Sequence, residues 1–179
     1  MVGRAYLEGM PEVTLRDGTR AVIRPIRPDD KDLLVAGHAQ LSAETIRRRF
    51  LMPKPRLTSS DLRYLTEVDG HDHVALVAVD PEHPGSIVGV ARWVRLREAP
   101  DTAEFAIVVG DPCQRRGLGL LLARALVQAA RERGIARFTA TALSDNEGVR
   151  KLIAAISEHL SFQPGAAGGT REFVAELAA

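Results

Sequence analysis

Residues 103–119 read as one unit. An apolar strand, Ala103-Glu104-Phe105-Ala106-Ile107-Val108-Val109, leads into a loop ending in Gln114-Arg115-Arg116-Gly117-Leu118-Gly119, and a helix follows over about residues 117–133. A buried strand feeding a helix through a short loop must cover a sheet, which commits the chain to an α/β architecture. Glycine at 117 and 119 lets the backbone approach a ligand closely, and the first-turn N–H groups of a helix have no partner within it. With the positive end of the helix dipole and with Arg115 and Arg116 alongside, the loop suits a phosphate or a diphosphate. The alternative is a loop that needs glycine only for tight strand-to-helix packing.

The rest of the chain surrounds this unit with short, well-punctuated elements. Asp17-Gly18 between extended runs is a hairpin signal, and residues 19–26 read as a strand. Pro28-Asp29-Asp30 starts an acidic helix whose inner face is Leu33, Leu34, Ala36 and Leu41. A second short helix opens at Ser42, with Glu44 in its first turn and Arg47-Arg48-Arg49 as a solvated end. Ser59-Ser60-Asp61 opens a third. The continuous apolar run 73–79 predicts a strand covered on both faces, and after a turn at 80–85 another strand spans 86–96. Gly134 closes the long helix, and the β pattern resumes over 136–143. A final helix is expected over 145–159, with Ser144 as N-cap and Glu147 completing a capping box. The glycines of 163–170 predict a mobile flap and 171–177 a last strand. The sum is a mixed α/β sheet in a single domain over residues 1–179.

Composition narrows the partners. Twenty-four Lys+Arg against 23 Asp+Glu leave a net charge of +1, which provides no whole-molecule field for nucleic acid or an anionic membrane. The Arg excess, with lysine only at 31, 54 and 151, is spread along the whole chain and reads as a coding bias. Cys113 stands alone, so no intrachain disulfide and no Cys-based zinc site can form, and a reducing, cytoplasmic setting is expected. Met1 to Ala5 leads into no apolar run long enough for a signal peptide or a spanning helix. His71 and His73, between Asp69 and the strand, look like a metal cluster, but the spacing fits local capping better and no metal is expected. Cys113 as a nucleophile, its thiolate favoured by Arg115, lacks a nearby histidine base.

The two common nucleotide loops fail against this sequence. A dinucleotide fingerprint wants glycine where Leu122 stands and a carboxylate near Phe138-Thr139-Ala140, and a Walker loop wants Gly-Lys-Ser/Thr. A metal-free diphosphate cradle remains. Here the segment resembles the GCN5-related N-acetyltransferases (GNAT), whose Gln/Arg-x-x-Gly-x-Gly/Ala signature is filled by Gln114, Gly117 and Gly119. Ile23-Arg24-Pro25-Ile26-Arg27-Pro28, Arg49-Phe50, Leu65-Thr66-Glu67-Val68-Asp69, Val74-Ala75-Leu76-Val77-Ala78 and Ala103-Glu104-Phe105-Ala106 are similar to the catalytic domain of Pat-like bacterial protein-lysine acetyltransferases, without their fused modules.

The resemblance implies a mixed, mostly antiparallel sheet flanked by helices, and acetyl-CoA as cosubstrate without metal. Backbone at Ile107, Val108 and Val109 would bind the acetyl carbonyl and pantetheine; Gln114, Arg115, Arg116, Gly117, Leu118 and Gly119 would hold the diphosphate; Asn146 would contact the pantetheine. Glu104 would be the general base: a lysine-like amine is protonated by about three and a half pKa units at neutral pH, roughly 4.7 kcal/mol. An apolar strand is where burial lifts a carboxyl's pKa. The other role open to Glu104 is an ion pair with Arg92 or Arg95. The tyrosine acid of many relatives has no counterpart on the late helix, the chain's tyrosines being Tyr6 and Tyr64, and Ser161 replaces a customary glycine before Phe162. The acceptor is then a primary amine, on a small molecule or a protein lysine, with a homodimer left open. A module that binds acetyl-CoA without turnover is the other reading.

Overall fold

The structure is a computed structural model that describes residues 12–177. Tyr6 and the stretch from Met1 to Ala5 lie outside the described residues. Eight strands make one sheet: β1 (Glu12–Thr14), β2 (Arg20–Pro25), β3 (His73–Val79), β4 (Ile87–Leu96), β5 (Ala99–Val109), β6 (Arg137–Leu143), β7 (Ser157–Pro164) and β8 (Thr170–Leu177). Their spatial order is β1-β2-β3-β4-β5-β6-β8-β7, and all pairs are antiparallel except β5 with β6. This is the mixed, mostly antiparallel sheet expected. A parallel pair needs a crossover, and α4 (Leu118–Arg131) supplies it.

Each face of the sheet has its own core. α4 and α5 (Glu147–Ala154) lie on the face that holds Trp93, Phe105, Phe138, Leu122 and Ile153, all almost fully buried. Gly89 of β4 sits under α4, where a Cβ would come within 2.9 Å of a Leu122 methyl, so a larger residue would push that packed side chain aside. The opposite face carries α1 (Lys31–Ala39), α2 (Ala43–Phe50) and α3 (Ser59–Thr66) over Val22, Leu34, Val77, Val79 and Val90. β3 is buried on both faces, which is why its sequence shows no alternation. β2 is tied to α1 by a buried fork, Arg24 Nη1 and Nη2 each donating to an Asp30 carboxylate oxygen at 2.7 Å.

Local chemistry explains most boundaries. The Asp17-Gly18 turn closes with Gly18 at φ 85°, and Ser42 caps α2 through its Oγ. α3 begins at Ser59 as its serines predict, and its N-cap is Thr58, which forms a reciprocal capping box with Asp61. The C-terminal quarter differs from expectation. α5 stops at Ala154; of the residues 155–159 expected to continue it, Ala155 and Ile156 form a turn and 157–159 enter β7, which ends at Pro164. Asn146, not Ser144, is the N-cap of α5, its Oδ1 accepting from Val149 N–H at 3.2 Å. The expected flap is a hairpin, with Pro164 still paired to Arg171 and the turn closed by Gly165 N–H to Thr170 O.

Candidate active site

β5 and β6 pair only where Thr102, Ala103 and Glu104 face Arg137, Phe138 and Thr139. Beyond Glu104, β5 stays with β4 as far as Val109, and β6 stays with β8 as far as Leu143. The two halves of the sheet therefore part at Glu104, leaving the backbone of 105–109 on that edge without a strand partner. α2 contacts both β5 and β6 at this opening.

The loop after β5 is built as the sequence predicts and wired differently. Arg115 and Gly117 both take left-handed backbone, φ 61° and 94°, and Gly117 is the N-cap of α4. Leu118 and Gly119 open that helix, so their N–H groups lack intrahelical acceptors. At Gly119 a Cβ would meet only ordinary contacts, Val109 at 3.7 Å and Leu152 at 3.9 Å, so helix packing does not require glycine there. Ile107 and Val109 pack into the core under α4, whereas Val108 faces the opposite side.

Of the two arginines expected beside the loop, Arg116 is held by Asp17 at 2.6 Å, whose carboxyl is lowered chiefly by the backbone N–H of Thr19. Arg115 is exposed, and Arg16, which the sequence reading passed over, lies against Gly117, its Cγ and Nε 3.5 and 3.6 Å from where a Cβ would stand. The cationic pair beside the helix end is thus Arg16 and Arg115. Gln114 braces the loop: its amide donates to Val109 O at 3.0 Å and to Thr45 Oγ1 at 3.1 Å. Asp111 accepts from Ser42 N–H, Ser42 Oγ and Thr45 Oγ1, pinning the N-terminus of α2 to the end of β5.

Glu104 is solvent-exposed, so the expected burial is absent, and it makes no ion pair or hydrogen bond among the described residues. Its cross-strand partner is Val94. Arg92 is instead buried, donating to His73 Nε2 at 3.0 Å and to Leu65 O at 3.1 Å, and Arg95 is bound to Asp72 at 2.7 Å and to the Arg133 carbonyl at 2.8 Å. Burial and the nearby Arg49 lower Arg92 to about 9. Burial, then Arg92, lowers His73 to about 4, which keeps its ring neutral and able to accept. His71 and His73 are engaged locally, their N–H groups donating to Asp69 together with that of Asp72.

Arg47 and Arg48 form the expected solvated end, both paired to Glu44. Arg49 does not: it is half-buried in the wall of a cavity of about 290 Å³ between the sheet and α1–α3, with Arg92, Phe50, Leu65, Val90 and Val108. Burial lowers Arg49, against the pull of Glu104. Cys113, at the far end of the cavity, is half-buried; burial raises its thiol, and the cation acting against that is Arg116, not Arg115. A thiolate nucleophile is therefore disfavoured. Ser161 and Phe162 lie on β7, where Arg171 stacks over the Phe162 ring at 5.1 Å. Among the described residues no helix is long and apolar enough to cross a membrane.

Comparison with known proteins places this geometry. The model of the Acetyltransferase (GNAT) family matches residues 41–155. The acetyltransferase Pat of Mycolicibacterium smegmatis is 37% identical over 150 residues, covering 83% of this chain and 44% of that protein. The chain therefore spans less than half of that curated relative. The GNAT domain of S. lividans PAT superposes with a TM-score of 0.83 at 33% identity, covering 94% of this chain and 97% of that one. A Salmonella typhimurium protein solved with its cofactor acetyl-CoA shares the fold alone, at 19% identity and a TM-score of 0.66 over 88% of this chain and 93% of that one.

Proposed function

The chain belongs to the GNAT acetyltransferase family, and from that premise we propose that it moves an acetyl group from acetyl-CoA to a primary amine, of a small molecule or a protein lysine, with Glu104 as general base. The observation that carries the reading is the parting of β5 from β6 beyond Glu104, along the stretch of β5 that leads through its loop to a helix N-terminus where Gly119 is not demanded by packing. A diphosphate fits that terminus: the N–H groups of Gly117, Leu118 and Gly119 open the helix, and Arg16 and Arg115, which form no ion pair among the described residues, add charge. Arg116 and Gln114 serve the same site by holding the loop, through Asp17, Thr45 and Val109.

On the edge turned away from β4 the backbone of Ile107, Val108 and Val109 has no strand partner. Apart from Val109 O, which Gln114 occupies, that edge can hold the pantetheine amides and the acetyl carbonyl, a positioned N–H there stabilising developing oxyanion charge. Asn146, capping α5, sets that helix beside Gly119 through Leu152. Acetyl-CoA supplies the acyl group as a thioester, whose C–S bond breaks as the new C–N bond forms, the thiolate leaving with CoA. Glu104, exposed at the mouth of the opening, takes the proton that the amine nitrogen loses, directly or through water. The lone Cys113 fits a reducing, cytoplasmic setting.

Glu104→Gln tests it. Thiol release with an amine acceptor should fall by about 100-fold, while acetyl-CoA affinity in isothermal titration stays within about twofold. Full turnover in that variant removes Glu104 from the chemistry. Binding of acetyl-CoA with no thiol release from any amine turns the domain into a ligand-binding module.

A further inference from the structure

Two guanidinium groups in one apolar cavity are costly unless something anionic answers them. Arg92 is 4% exposed and Arg49 half-buried, both line the cavity under α1–α3, and neither forms an ion pair among the described residues. Arg92 has only neutral acceptors, the His73 ring and the Leu65 carbonyl. Arg49 lies over the Phe50 ring at 5.0 Å. Among the described residues the carboxylate whose charge acts on Arg49 is Glu104, with no bond between them. Glu104 lies outside the cavity lining, and the carboxylates that do line it are engaged elsewhere, Asp111 by Ser42 and Thr45, and Asp80 by His83 and the Glu82 N–H.

The register fixes how these groups stand. Val94 faces Glu104 and Arg92 faces Ala106 across β4 and β5, so Arg92 and Glu104 are diagonal neighbours on one face, about 7–8 Å apart at the backbone. That separation allows one small molecule to reach both, its amine toward Glu104 and an anionic group toward the arginines. Leu34, Leu57, Leu65, Phe50 and Val90 supply the apolar part of the wall. We infer that the acceptor is a small amino carboxylate, an α-amino acid with an apolar side chain, whose carboxylate is recognised by Arg49 and Arg92. This rests on the acetyltransferase reading above. A protein lysine, by contrast, brings no carboxylate of its own to answer the two guanidinium groups.

Leucine, methionine and phenylalanine, each beside its carboxamide and beside a lysine-containing peptide, provide the test. With acetyl-CoA saturating, kcat/KM by thiol release should favour the free acids over the amides by about 100-fold, the worth of a charge-assisted contact removed. In Arg49→Met that ratio should collapse toward one, and Arg49→Lys should keep part of it. Faster turnover of the amides or the peptide overturns the inference, as does an unchanged ratio in Arg49→Met, or binding of acetyl-CoA without turnover of any free amino acid. Failure to bind acetyl-CoA in isothermal titration marks instead the failure of the acetyltransferase reading beneath it.

Discussion

Gly119 separates ligand binding from folding. Its backbone angle is not in the left-handed region, and a Cβ there would meet only van der Waals neighbours. An acidic side chain in the first turn of α4 favours the helix dipole, by about 0.3–1 kcal/mol. Gly119→Asp should therefore leave the melting temperature unchanged or slightly higher while abolishing acetyl-CoA binding in titration calorimetry, through repulsion of the diphosphate. Retained affinity would remove the α4 terminus from the site. Gly117 cannot make this distinction, because any side chain at φ 94° strains the loop itself. The motif was legible because its chemistry is local: three positions over six residues define a turn and a helix start. Arg16 was not, since only the β1–β2 hairpin brings it against a glycine a hundred residues away.

Among the elements, β3 and β4 carry a titration that the apolar strand pattern hides. His73 at the head of β3 is faced by Arg92 of β4, by Asp69 of the preceding loop and by the Tyr64 ring of α3 at 5.0 Å. Its folded pKa of about 4 lies below the ordinary value of 6.5, so the folded state binds the proton less well than the unfolded chain does. The stability this provides is complete above pH 6.5 and is lost as pH falls toward 4. Thermal melts should show that decline, and His73→Gln, which keeps an acceptor for Arg92, should flatten it. A decline confined to pH 2–4 would point instead to carboxylates such as Glu44 and Asp61, both lowered to about 2, Glu44 chiefly by Arg47 and Asp61 chiefly by the Thr58 backbone. At the same scale the final helix was misjudged. Val149, Leu152, Ile153 and Ile156 keep helical spacing, yet β7 forms from Ser157 because β8 offers a hydrogen-bonding edge from Leu177 to Arg171.

For the whole molecule, the opening between β5 and β6 is the weak seam of the sheet, and a ligand that spans it joins the two halves. Acetyl-CoA at a hundred times its dissociation constant should stabilise the fold by about 2.7 kcal/mol, a rise in melting temperature of about 5–10 °C for a domain of this size. No shift under saturating ligand would contradict the site. The sequence by itself determined the class of fold, the places along the chain of β2 to β6 and β8, and the loop that opens α4, because apolar periodicity, turn residues and helix ends act over a few neighbouring positions. Only the tertiary structure decided that Glu104 is exposed, that Arg116 answers Asp17, and that Arg49 and Arg92 share one cavity. Burial and charge pairing depend on strands and helices distant in the chain coming together, and no local pattern records which partner each side chain will meet.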